Sequence, residues 1–156
     1  MSIIKHLDRC IGRFDHVQLA EHFKAQGEFV AVENGLDSEV IEPLLESLPH
    51  LRNAVHRSLI PGHKKGGSVS RHDIDKHTPL YKEFYSAPEW IFFLSNTVGK
   101  ELLECPLTDP HTYALYYYDQ AGDYIGYHYD TSYYRGERFT VLIGLLNRSS
   151  CLLEYE

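Results

Sequence analysis

The period of the sequence changes at Pro110. Before it, apolar residues recur at helical spacing between capping residues; after it, aromatic and β-branched residues fill short runs bounded by turn signals. Nine of the twelve tyrosines fall between positions 113 and 134, and aromatic side chains suit a pleated surface. The same side chains can line a ligand pocket, so both roles stay open. Helices first and antiparallel strands afterwards predict an α+β fold. N-terminal helices would pack on a sheet that wraps into a double-stranded β-helix, the jelly-roll or cupin-like core.

The 156 residues suit a single domain, long enough to bury roughly two-thirds of its unfolded surface. Residues 1–109 form the mainly helical buttress and loop, and 110–156 the first strands of the roll. A net charge of −7 speaks against a broad attraction to nucleic acid or to an anionic membrane, and favours a small-molecule partner. Cys10, Cys105 and Cys151 lie far apart with no Cys-x-x-Cys pair. That suggests neither a disulfide framework nor a zinc knuckle, and it fits a reducing cytoplasm. No apolar run approaches the ~20 residues that span a bilayer, and the first thirteen residues are too charged for a secretory signal core. Association into a homo-oligomer is left open.

Local signals place the elements. Asp15 caps a helix that turns Val17, Leu19, Ala20 and Phe23 inward, with Gln18 at the capping-box position and Gly27 as the stop. Phe29 to Glu33 reads as a short strand. Leu36-Asp37-Ser38 opens a helical segment that Pro43 should kink, so the regular helix is expected from Pro43 to Leu48. Residues 50–77 are polar and locally basic with little periodicity. They predict a solvated loop with one short strand near 67–71, or a lid over the barrel mouth. Thr78-Pro79 starts a helix carrying Leu80 and Phe84. Ser86-Ala87-Pro88-Glu89 is a capping box for the next, which runs through Trp90 and Phe93 to Gly99 and is expected to pack on the sheet. Strands follow at 112–118, 124–130, 138–145 and 151–156. Residues 119–123 form the first turn, and 138–145 is apolar enough to be central.

Chemistry concentrates in Gly122-Asp123-Tyr124-Ile125-Gly126-Tyr127-His128-Tyr129-Asp130-Thr131. Side chains at i and i+2 of a strand share a face, so His128 and Asp130 can grip one metal ion. Two His and one carboxylate on one side of a non-haem Fe(II), with the other positions open, make the facial triad of oxygenases. Chance alone gives about 0.6 His-x-Asp pairs in a chain of this composition, and this one holds two. His6-Leu7-Asp8 has no β pattern around it and is the accidental one.

Three runs carry a resemblance: Tyr116-Tyr117-Tyr118-Asp119-Gln120-Ala121-Gly122-Asp123, then Gly126-Tyr127-His128-Tyr129-Asp130-Thr131-Ser132-Tyr133-Tyr134-Arg135-Gly136, then Arg138-Phe139-Thr140-Val141-Leu142-Ile143-Gly144-Leu145. Together they resemble the core of the Fe(II)/2-oxoglutarate-dependent oxygenases, and within them the group of lysine halogenases and hydroxylases that act on free amino acids. The resemblance implies Fe(II), 2-oxoglutarate and O2, with His128 and Asp130 as metal ligands. It implies oxidation of an unactivated C–H bond, with succinate and carbon dioxide as co-products. In the halogenases a small residue replaces the carboxylate and admits chloride; Asp130 therefore implies hydroxylation. Tyr116, Tyr118 and Tyr127 are candidates for the wall of the cofactor pocket. Thr131 either faces substrate or closes a turn.

The family's second His and its 2-oxoglutarate-binding Arg come from later strands, and no His follows His128. Arg135 and Arg138 come too early in that order, and His111 is the nearest other imidazole. The sequence is expected to be the front part of a longer enzyme, to be completed by a second chain, or to be a degenerate relative that binds metal poorly. Two competitors belong to other classes: a cupin-like metalloenzyme that does not use 2-oxoglutarate, and a non-enzymatic β module whose tyrosine-rich face binds a partner.

Overall fold

A computed structural model describes residues 3–106, 108–110, 112–130 and 135–155. The chain begins with α1 (Ile3–Ile11), whose Ile3, Leu7, Cys10 and Ile11 recur along one face and are all buried. Then comes α2 (His16–Ala25), where Asp15 accepts hydrogen bonds from the Val17 and Gln18 N–H groups, both at 3.0 Å. It ends as expected: Gly27 at φ 72° lets Glu28 N–H reach the Phe23 carbonyl at 2.9 Å and closes a Schellman turn. Phe23 is buried, but Val17 faces solvent rather than the core. Residues 29–33 form no strand.

The helix does not begin anew at Pro43. One helix, α3 (Ser38–Leu51), runs through both Pro43 and Pro49. Packing overrides the lost hydrogen bonds: Val40 and Leu44 are buried in one apolar cluster with α1 and α6, and Leu51 in a second cluster beneath the sheet. A single 3-10 turn, Arg52–Ala54, leads into β1 (His56–Ile60) and β2 (Lys64–Ser70), which pair antiparallel across a turn containing Pro61 and Gly62. β2 takes up the one short strand expected near 67–71, while β1 stands where 50–77 predicted only a solvated loop. After it, α4 (Arg71–His77) is capped by Ser70, whose hydroxyl accepts from Asp73 N–H. It is followed by α5 (Leu80–Tyr85) and α6 (Pro88–Val98).

Gly99, at φ 72°, ends α6 as expected, but no side chain caps its start; the Ser86 hydroxyl donates instead to Glu104 at 2.9 Å. Nor does α6 pack on the sheet. It lies against α1 and α2, and Phe93 and Trp90 stack at 5.5 Å inside the helical cluster. Phe92 points to solvent.

Among the described residues the sheet has four antiparallel strands, with β2 at its centre. One edge of β2 takes β1; the other takes β3 (Ala114–Tyr117) opposite Gly67–Ser70 and β4 (Tyr124–Ile125) opposite Lys64 and Lys65. Gly67 makes the close approach workable, because a Cβ there would lie 2.7 Å from Val55 Cγ1. Val69 and Leu115 face inward onto Leu51 and Ile74. The strands expected at 138–145 and 151–156 join no ladder among the described residues. Ile143 and Leu145 nonetheless pack against the helical core. The architecture is thus α+β with helices and a small antiparallel sheet.

Candidate metal centre

The turn that delivers the candidate pair is tied down by ions. Asp119 and Asp123 bracket the turn between β3 and β4, and Gly122 adopts φ 76° within it. Arg57 of β1 donates to Asp119 at 3.0 Å and to Asp123 at 2.5 Å, and Arg52 also pairs with Asp119. The Asp123 side chain is only 1% exposed. Hydrogen bonding from Arg57 holds its carboxyl below the usual carboxylate range, against the opposing effect of burial. Lys65 adds a bond to the Ala121 carbonyl at 3.0 Å.

Past this turn β4 lasts two residues, not the seven expected for 124–130. Gly126 N–H leaves the ladder and donates to the His63 carbonyl at 2.7 Å. His128 and Asp130 therefore lie outside any strand, yet they face each other, with His128 Nε2 3.5 Å from Asp130 Oδ1. The Gly126 carbonyl lies 2.8 Å from His128 Nδ1. A carbonyl only accepts, so this hydrogen bond takes its proton from Nδ1 and leaves Nε2 as the nitrogen that a metal could use. Thr140 Oγ1 donates to Asp130 Oδ2 at 2.7 Å and leaves Oδ1 on the imidazole side.

This donor set fits a divalent metal. His128 Nε2 and Asp130 Oδ1, 3.5 Å apart, can both reach one ion at bond lengths of ~2.0–2.2 Å. Among the described residues no third His, Cys, Asp or Glu completes the group. His111 and Thr131 lie outside the described residues. The pair is open to solvent, with side chains 37% and 58% exposed.

One neighbour has no forewarning in the motif. His63, in the β1–β2 turn, stands edge-on to His128, with ring centroids 5.7 Å apart and planes at 82°. The Pro61-Gly62 dipeptide between Leu59-Ile60 and Lys64 is the signal that could have revealed that turn. The three tyrosines considered for a pocket wall divide. Tyr116 and Tyr118 share one face of the sheet, the former under the Lys64 ammonium at 4.6 Å, the latter lying over Gly66. Tyr127 is mostly exposed and donates its hydroxyl to Glu154 at 2.7 Å, which raises its phenol above the ordinary value. Arg138 lies 3.8 Å from the buried carboxylate of Asp109. Two shallow cavities, of about 360 and 720 Å3, run along α6 and include neither His128 nor Asp130.

A family model described as halogenase D matches residues 13–135, a span that contains the hairpin, the ion-paired turn and both candidate ligands. No curated protein and no solved structure matches the chain. No helix among the described residues is long and apolar enough to cross a membrane.

Proposed function

The chain belongs to the halogenase D family, and from that premise we propose that it is a non-haem Fe(II)/2-oxoglutarate-dependent oxygenase that hydroxylates an unactivated C–H bond of a small molecule, with a free amino acid as the favoured class. The observation that carries the reading is the facing pair, His128 Nε2 and Asp130 Oδ1, 3.5 Å apart within the matched residues. Hydroxylation, not halogenation, follows from Asp130. The amino-acid halogenases that the sequence resembles keep a small residue where this chain has a carboxylate. The second His and the 2-oxoglutarate-binding Arg that the resemblance implies would stand on further strands of a jelly roll, for which a second chain is one source.

His128 and Asp130 would hold Fe(II), which with 2-oxoglutarate and O2 supplies the oxidising power for a C–H bond. The chain's own residues set the conditions. Gly126 fixes the tautomer of His128 through the Nδ1 proton, and Thr140 holds one carboxylate oxygen so that the other faces the imidazole. Arg57 and Arg52 are occupied by Asp119 and Asp123, so neither is offered to the co-substrate. Tyr116 and Tyr118 would wall the pocket and help exclude water, which a pair this exposed requires. Thr131 would face the substrate.

The test is oxygen-dependent succinate formation with Fe(II) and 2-oxoglutarate across a panel of amino acids, matched one for one by hydroxylated product. Asp130→Ala should lower turnover by more than about 100-fold, since outer-shell changes alone cost 10- to 100-fold; unchanged turnover would remove Asp130 from the ligand set. Asp130→Gly with added chloride should divert some product to the chlorinated form. Metal binding without succinate would favour a cupin-like metalloenzyme. Failure to bind any divalent metal would favour a β module that recognises a partner through its tyrosines.

A further inference from the structure

We propose that His63 and Thr140 are positioning residues of the metal pair, each fixing one of its two donors; the proposal rests on the metal reading above. The pair lies beyond β4 and outside any ladder, so strand geometry does not aim its side chains. Two other segments do.

The first is the β1–β2 turn. Gly62 at φ 75° and the bond from His63 N–H to the Ile60 carbonyl, 2.9 Å, close it. From this turn the His63 carbonyl accepts Gly126 N–H at 2.7 Å, and the Gly126 carbonyl accepts the His128 Nδ1 proton at 2.8 Å. Consecutive hydrogen bonds thus tie the backbone of the hairpin to the ring of the ligand. The His63 ring then stands edge-on to that of His128, 5.7 Å between centroids. An edge-to-face contact of this kind is attractive as well as steric.

The second segment carries Thr140. Its hydroxyl holds Asp130 Oδ2 at 2.7 Å, and the nearby Ile143 and Leu145 pack against the helical core. A carboxylate otherwise turns readily about its terminal torsion; here one oxygen is held, and the other meets His128 Nε2. One arm comes from residues long before the pair and the other from residues just after it. Neither arm is visible in the His-x-Asp motif.

Co(II) titrated into the full chain, followed by its visible absorption, tests this without turnover. Thr140→Val should weaken Co(II) binding about 10- to 100-fold and shift the absorption band, while Thr140→Ser, which keeps the hydroxyl, should restore both. His63→Ala should weaken binding by a similar factor. His63→Phe keeps an edge-on ring without a nitrogen and should retain the affinity. Unchanged binding in Thr140→Val and His63→Ala would overturn the assignment. Loss in His63→Phe equal to that in His63→Ala would make His63 a ligand and overturn its positioning role. No Co(II) uptake by the unaltered chain would instead overturn the metal reading itself.

Discussion

Asp123 carries a charge in an almost fully covered position, 1% exposed, and keeps it because Arg57 Nη2 donates at 2.5 Å and Gln120 N–H at 3.0 Å. Its carboxyl is held below the usual range, chiefly by the Arg57 bond. A depressed folded-state pKa contributes stability that is fully present above the unfolded value of about 3.9 and is lost as pH falls through the folded value. Asp123→Asn should therefore lower the urea midpoint at neutral pH, and its gap to the unaltered protein should shrink towards about pH 3. A gap of constant size would contradict this account. The sequence shows Asp119-Gln120-Ala121-Gly122-Asp123 as a turn, since Gly122 and the flanking carboxylates are local signals. It could not show that Arg57, 66 residues away, is what anchors it.

Elements with their own end signals were readable, and those stabilised by distant partners were not. Asp15 and Gly27 bound α2, and Gly99 ends α6, because each cap acts within one turn of helix. Apart from the short strand expected near 67–71, residues 56–66 predict a loop, because His56, Arg57, Lys64 and Lys65 give no alternating pattern. β2 is nevertheless the centre of the sheet, with β1 on one edge and β3 and β4 on the other, and Gly66 and Gly67 admit close neighbours. In α3 the local signal was misleading: Pro43 lacks the N–H that would bond the Glu39 carbonyl, yet the helix continues. Pro43→Ala should restore that bond and stabilise the protein by about 1–2 kcal/mol, the gain being reduced by a freer unfolded chain. Thermal melts would read this as a higher midpoint, and a lower one would mean that the proline ring itself contributes to packing.

Across the whole molecule two apolar clusters share one frame. Leu44 belongs to the helical cluster and Leu51 to the one under the sheet, so α3 joins them, and Tyr81 and Leu145 pack on both. The segment after the pair follows this frame back to the helices: Phe139 meets Phe23 at 6.2 Å and Tyr155 stacks on Phe29 at 3.7 Å. Leu7, fully buried in the helical cluster alone, tests the coupling. Leu7→Ala should cost about 2–5 kcal/mol, with far-UV circular dichroism and Trp90 fluorescence losing signal in one shared transition. Two separated transitions would show that sheet and helices melt independently.

The expected order of helices before strands fails, since β1 and β2 precede α4, α5 and α6. By itself the sequence determined the caps of α2, the stop of α6 at Gly99 and the turn at 119–123, and it singled out His128 and Asp130 as a candidate pair. These depend on residues no more than a few positions apart, whose backbone preferences act wherever the chain goes. Only the tertiary structure decided that β2 is central, that Asp123 answers to Arg57, that α3 runs unbroken, and that His128 and Asp130 face each other without a strand to aim them. Each of those depends on closing a loop of tens of residues, and the entropy lost in closing it is recovered only when apolar faces and ionic partners meet in three dimensions.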